Sequence, residues 1–551
     1  MKNNFFRISM ALLLCFIVLA AFGACSGKKE AAPKGPVQKL TYSVRSVPTI
    51  DPQQFNASPS NGAIKGYSEG LIQYHAGVVS PGVAERWEIA PDNKSMTFHL
   101  RKDAKWSDGT PLTANDFVYA FRRLADPKNN CSYRWVLDEI VNGDEIPYGD
   151  GSIPVEKLGV SAPDNSTFVI NFRVPAPYYL AFLDMPPFHP VKKEWVEKYG
   201  SEYAMSTDKI LGNGPYIVKE FLFEQKIVYA PNPNYWNKSA IKLEEATLVI
   251  MEEEAAFAAF RNGEVDFCHI PLAVGPEFLA NPSLLPGAYV NKYMTGAVDW
   301  FCINIASKTN PILGNKDFRL ALNYALDREQ YVKIATNGLY EPATRFVLPA
   351  VAGAKTTYYQ EYPINVYKTT AELDKAKQHL NAAMRVMGIS DPGKITIALK
   401  ISDRPSDRMI VENCQDQWQK ALGIKVNIEI VTYRAMLTDR TSSNFDLVYA
   451  GWMPDFDDPY TYLGYFTSSN SQNGGKFSNA RYDELVTTAN NYTDQVKRLG
   501  MYAEAEKILL EEAGLIPLQV RQQPEVRKGN LRGFNRHFLG AQEDWIYAYF
   551  E

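Results

Sequence analysis

The segment Lys394–Ile401 reads KITIALKI, a helical stretch follows from Met409 to Leu422, and Lys425–Val431 reads KVNIEIV. Two β-branched runs on either side of one helix make a strand–helix–strand unit. Such a unit commits the chain to an α/β fold, because parallel neighbours need a crossover long enough to hold a helix. The rest of the chain alternates in the same way. Lys39–Val44 (KLTYSV), Met96–Leu100 (MTFHL), Thr167–Phe172 (TFVINF) and Ala246–Met251 (ATLVIM) predict strands. Asn315–Ala335 predicts one helix, with Phe318, Ala321, Leu322, Ala325 and Leu326 on a single face. A further helix is predicted from Thr369, where Thr369 and Glu372 have capping-box spacing ahead of Leu373, Ala376, Leu380 and Ala383.

At 551 residues the chain exceeds one ordinary core, so two or three packed units are expected. No fixed-period repeat interrupts it. Lys and Arg total 58 against 62 Asp and Glu, a net charge of −4, which disfavours a protein that holds nucleic acid on a basic surface. Aromatic residues reach 13 %, a load that suits a cleft lined with flat amphipathic side chains as well as a core.

The first 24 residues read as a secretory leader: Lys2 and Arg7 precede the apolar run Met10–Phe22, which is too short to span a membrane comfortably. Phe22-Gly23-Ala24-Cys25 resembles the lipobox of bacterial lipoproteins, which implies lipidation of Cys25. Phe22 stands where that motif usually has Leu, so cleavage by the ordinary signal peptidase near Ala24 is the alternative. Residues 25–37 are polar and contain Pro, as a tether does. Loss of the leader removes two basic residues and no acidic one, leaving 56 against 62 and a net charge of −6.

Beyond Cys25 the cysteines are Cys131, Cys268, Cys302 and Cys414, widely and irregularly spaced, and the six histidines are scattered. No zinc-ligand spacing is present, and no metal or cofactor is expected. The sequence lacks GxSxG, HExxH, GxxxxGK and a GxGxxG following a strand, so an enzyme is the weaker hypothesis.

The long motifs carry more. Ala90–Pro127, APDNKSMTFHLRKDAKWSDGTPLTANDFVYAFRRLADP, resembles the signature segment of the family 5 extracellular solute-binding proteins, which serve peptide-importing ABC transporters. Thr49-Ile50-Asp51-Pro52, Glu69-Gly70-Leu71, Pro81–Glu88, Gly212–Tyr216 and Asn232–Trp236 match further elements of that family, and the resemblance spans residues 38 to 551. Within the signature, Trp106–Gly109 reads as a strand-ending turn, and Thr113 or Asn115 as the cap of a helix with Phe117, Ala120 and Phe121.

Ala450-Gly451-Trp452-Met453-Pro454-Asp455 with Asp458-Pro459 is similar to the AGWxxDxxxP segment of oligopeptide-binding members. The resemblance implies that Asp455 binds the peptide ammonium, a charge that needs a fixed opposing carboxylate once desolvated. A turn aspartate between two prolines is the alternative. Trp452 is a candidate pocket wall or a core residue. Such members can carry Arg two residues before the Gly-Trp pair; Tyr449 stands there, so that carboxylate contact does not transfer, and Tyr449 is kept as a site candidate. Asp403-Arg404-Pro405 resembles the Gln-Arg-Pro of dipeptide-binding relatives, whose Arg clamps the peptide carboxylate, so Arg404 is the candidate cation and Arg408 a second. Tyr433 falls where a pocket-lining aromatic is expected, with core packing as the alternative. The family often pairs a cysteine in the segment of Cys302 with one after this Trp. Met453 occupies the latter position, so Cys302 is expected buried and free unless Cys268 or Cys414 lies within bonding distance.

The implied architecture is an α/β, three-lobed clamshell of the class II periplasmic-binding-protein type with an inserted extra domain. Lobe I would take 38–72, 205–300 and 523–551, lobe II 73–204 and lobe III 301–522. The implied function is capture of peptides, by main-chain pairing along strand edges, for a membrane permease. The chain is read as an exported monomer, anchored through Cys25 to the cell envelope. Other solutes bound by such a fold (a metal chelate, haem or an oligosaccharide), a surface adhesin and a secreted hydrolase are the competing readings.

Overall fold

The computed structural model describes residues 36–55, 58–75, 78–146, 151–470, 472–539 and 542–551; the leader, Cys25 and nearly all of the tether lie outside them. One mixed sheet of 11 strands organises the chain. It begins at one edge with Lys425–Val431, Thr396–Ser402 and Leu447–Trp452, all parallel. At the other edge lie Phe267–His269, Lys39–Val44, Glu245–Ile250, Lys226–Pro231 and Tyr216–Leu222. Two long antiparallel strands, Ala288–Ile303 and Leu515–Lys528, stand in the middle and join the two halves.

The strand–helix–strand unit forms as the hydrophobic pattern requires. Ile397, Leu399 and Ile401 turn one face of their strand to Val411, Cys414 and Trp418 of the helix Pro405–Leu422. Pro405 opens that helix at a position where a missing N–H costs nothing, and Gly423 ends it at φ 71°, in the left-handed region. Burial of each such large apolar side chain contributes about 1.5–3 kcal/mol.

A separate antiparallel sheet is ordered Ala84–Ile89, Ser95–Leu100, Thr167–Asn171, Val160–Asp164. The helix Ala114–Ala125 packs on it through Phe117 and Phe121, whose rings lie 5.6 and 5.3 Å from that of Phe168. Thr113 caps this helix, its N–H and hydroxyl both donating to the Asp116 carboxylate at 2.7 and 3.0 Å. The signature segment is therefore framework in this region.

Two helix expectations need correction. The stretch 315–335 forms two helices, Lys316–Tyr324 and Arg328–Ala335, because the Asp327 side chain accepts from the Gln330 N–H and starts a new helix. The second predicted helix begins later, at Leu373. Thr369 donates its hydroxyl to Glu329, and Glu372 is held by Lys368 and Lys375, so the capping box does not form.

The two long strands change register between Met294 and Val298. Gly296 sits in that irregularity at φ 88°, and a Cβ there would lie 2.4 Å from the carbonyl oxygen of Phe538, so only glycine fits. Cys131, Cys268, Cys302 and Cys414 are buried and free. Burial pushes the Cys302 thiol up to about 12. Among the described residues, no helix is long and apolar enough to cross a membrane, and no group of three His, Cys, Asp or Glu side chains could hold a metal ion.

Candidate ligand-binding site

Three parallel strands end together, and in open α/β sheets ligands settle beyond the carboxyl ends of strands. Arg404 follows Thr396–Ser402, Tyr433 follows Lys425–Val431, and Asp455 follows Leu447–Trp452. One register-matched sheet edge thus gathers residues that are 51 positions apart in sequence.

A cavity of about 480 Å³ opens there, within the range of small-ligand sites. Trp452, Asp455, Tyr433 and Arg440 line it together with Asn61, Tyr133, Trp135 and Phe538 from distant parts of the chain. Its polar inventory is unmatched. The half-buried Asp455 carboxylate makes no hydrogen bond or ion pair among the described residues, and Arg440 Nε, Trp452 Nε1 and Asn61 Oδ1 are buried without a hydrogen-bond partner. Three buried polar groups without a partner and one half-buried free carboxylate thus border a single cavity, where they can exchange hydrogen bonds with a polar ligand.

Burial pushes the Asp455 carboxyl up to about 7, since no cation faces it. The hydroxyl of the neighbouring Tyr133 is pushed up by its own burial and, secondarily, by the Asp455 charge. The loop carrying Asp455 is held on every side. Its backbone N–H donates to Thr461 Oγ1 at 3.2 Å, and the Phe456 ring stacks on Tyr178 with centroids 4.5 Å apart and meets Phe182 edge-on at 5.4 Å. Asp457 accepts from the Tyr74 hydroxyl and the Ala352 N–H, both at 2.8 Å. Asp458 is paired with Arg498 in the interior. Of this acidic trio, Asp457 and Asp458 hold the loop in place and Asp455 is left unengaged.

The remaining sequence candidates divide. Trp452 and Tyr433 border the cavity. Arg404 is exposed and does not border it, but its guanidinium lies over the Tyr433 ring, 4.4 Å from the centroid. Arg408 stands apart, its Nε 2.7 Å from Glu412 one helical turn on. Tyr449 is buried away from the cavity: its hydroxyl donates to Asp299 at 2.9 Å, in a cluster where Gln519 and Arg521 also donate to that fully buried carboxylate.

Sequence reasoning missed Arg440 and Asn61. Arg440 belongs to the helix Tyr433–Thr441 and lies seven residues, two turns, beyond Tyr433, so both face one way. That spacing was a usable signal once Tyr433 was a candidate. Asn61, in the helix Ser58–Tyr67, carried none.

The sequence model of bacterial extracellular solute-binding proteins, family 5 Middle, matches residues 78–474. The chain belongs to that family. Among family 5 relatives, the periplasmic oligopeptide-binding protein OppA of Salmonella typhimurium is 31 % identical over 476 residues, covering 86 % of this chain and 85 % of the relative. The periplasmic murein peptide-binding protein MppA of Escherichia coli is 30 % identical over 554 residues, covering 100 % and 98 %. Among solved structures, the unliganded open form of a periplasmic murein tripeptide binding protein, MppA, superposes with a TM-score of 0.78 at 28 % identity, covering 93 % of this chain and 97 % of that one. Listeria monocytogenes OppA bound to peptide superposes at 0.72 and 26 % identity, covering 93 % and 99 %. The mixed α/β architecture is that of the family 5 binding-protein clamshell.

Proposed function

We propose that this family 5 protein captures peptides outside the cytoplasmic membrane and delivers them to an ABC permease, without catalysing a reaction on them. The observation that carries the reading is the free Asp455 carboxylate in the cavity. Every unmodified peptide offers an ammonium to such a group, whatever its side chains. Arg440, unpaired in the same cavity, supplies the cation for a ligand carboxylate, and the planar guanidinium suits it. Arg404 then acts from outside, through Tyr433. Trp452 Nε1 and Asn61 Oδ1 are left for the ligand main chain, one as donor and one as acceptor.

In this account lobe I (38–72, 205–300 and 523–551) and lobe III (301–522) close on the peptide, with lobe II (73–204) as an insertion. The register shift between Met294 and Val298 is the flexing point, because a local break in the ladder bends with little loss of pairing. The better superposition on an unliganded open relative, 0.78 against 0.72 for a peptide-bound one, supports an open, waiting state. Export and lipidation of Cys25 would keep a monomer of this kind beside its permease.

Native mass spectrometry of protein purified from cells tests the reading, since a closed binding protein retains ligand. A heterogeneous set of peptide masses is the expected result. A single metal-chelate or sugar mass, or an empty protein that takes up nothing from a peptide library, would overturn it.

A further inference from the structure

The cavity does not end at Gln542. That residue also borders a second, smaller chamber of about 190 Å³, which adjoins the first along the helix starting at Ser58: Asn61 faces the main cavity and Pro59 the chamber. For scale, an apolar cavity of ~150 Å³ holds a benzene molecule, so the chamber has room for one long side chain.

Its charges are uneven. Arg45 borders it but is engaged with Glu252 at 3.2 Å. Glu543 is engaged by Arg536 and lies 3.6 Å from His269. Glu253, half-buried on the chamber wall, makes no hydrogen bond or ion pair among the described residues. Tyr293 shares that wall: it is 8 % exposed, and the Arg536 guanidinium covers its ring face 3.8 Å away. A carboxylate without a partner, on a wall shared with a tyrosine hydroxyl that can also accept from N–H donors, makes a receptor for a cation with several donors.

We propose that this chamber is a side-chain subsite for a basic residue, so that the protein favours peptides carrying lysine, arginine or a similar cationic side chain within reach of Glu253. The inference rests on the peptide-capture reading and adds a substrate class to it. A cationic side chain entering from the main cavity past Gln542 would donate to Glu253 and Tyr293 while its aliphatic stem lies along Pro59 and Val44.

The test uses alanine tetrapeptides with one lysine walked through positions two to four, each paired with its norleucine counterpart, titrated calorimetrically into the full protein. At one position lysine should bind at least about fivefold more tightly than norleucine. Glu253→Gln should bring that ratio close to one, and Glu253→Lys should shift the preference at the same position from lysine to glutamate. No lysine preference at any position, or a preference that survives both substitutions, would overturn the subsite while leaving peptide capture intact. Failure of every peptide to bind would overturn the capture reading and the subsite with it.

Discussion

Asp455 and Arg440 border one cavity without forming an ion pair with each other or with any other described residue. An anion and a cation left unneutralised on the walls of one cleft leave both ends of a zwitterion to be bound by the protein. Removing one partner of a desolvated charge pair costs roughly 2–5 kcal/mol. Arg440→Ala should therefore weaken free-acid peptides by at least about tenfold, whereas Arg404→Ala, removing an exposed stack on Tyr433, should change affinity by only about a fewfold. Titration of both variants with free-acid and C-amidated peptides checks this, and amidation should mimic Arg440→Ala.

Affinity should depend on pH with a maximum between about 7 and 8. The Asp455 carboxyl, pushed up to about 7 in the free protein, must lose its proton before it can face an ammonium. Below that pH the apparent affinity should fall by up to about tenfold per unit. Above pH ~8 the peptide α-ammonium itself titrates and affinity should fall again. Calorimetry in buffers of different ionisation enthalpy should detect close to one proton released per peptide at pH 6. A flat profile from pH 5 to 8 would contradict the assignment.

The same shift has a stability consequence. A carboxyl whose folded value lies above its unfolded value of ~3.9 is protonated in both states at low pH and contributes nothing there. As pH rises through 4 towards 7 the unfolded chain releases the proton while the folded protein keeps it, so the folded state loses ground. Asp455→Asn removes that penalty. The variant should melt above wild type at pH 8 and with it at pH 4, while losing peptide affinity, as expected where a site is kept strained for function. Thermal melts of ligand-free protein at the two pH values decide this.

Gly296→Ala should destabilise the protein by about 1–3 kcal/mol or more. The positive φ at Gly296 and the 2.4 Å approach to the Phe538 carbonyl leave no room for a methyl group. Because Phe538 also lines the cavity, peptide affinity should fall as well. Chemical denaturation and titration of one preparation report both effects; an unchanged denaturation midpoint would contradict the close approach.

The strands were legible because β-branched runs alternate: Lys39–Val44 and Lys425–Val431 appear at the bounds their patterns predict. The break at Asp327 was hidden by an apolar period that carries on past it to Tyr331 and Val332, although Asp327 and Gln330 have N-cap spacing. Asp455 was marked by its motif, but the sequence could not say that Asp457 and Asp458 would be engaged by Tyr74 and Arg498, 383 and 40 positions away. Arg440 and Glu253 were missed for a related reason. What marks them is the lack of a partner, and that is a property of the folded neighbourhood.

An ammonium held by Asp455 is read out by a two-by-two titration of wild type and Asp455→Ala with one free peptide and its N-acetylated form. Acetylation should weaken binding to wild type by at least about tenfold, and the variant should bind both forms equally weakly. Equal affinity of wild type for the two forms, with Asp455→Ala unchanged from wild type, would contradict the account.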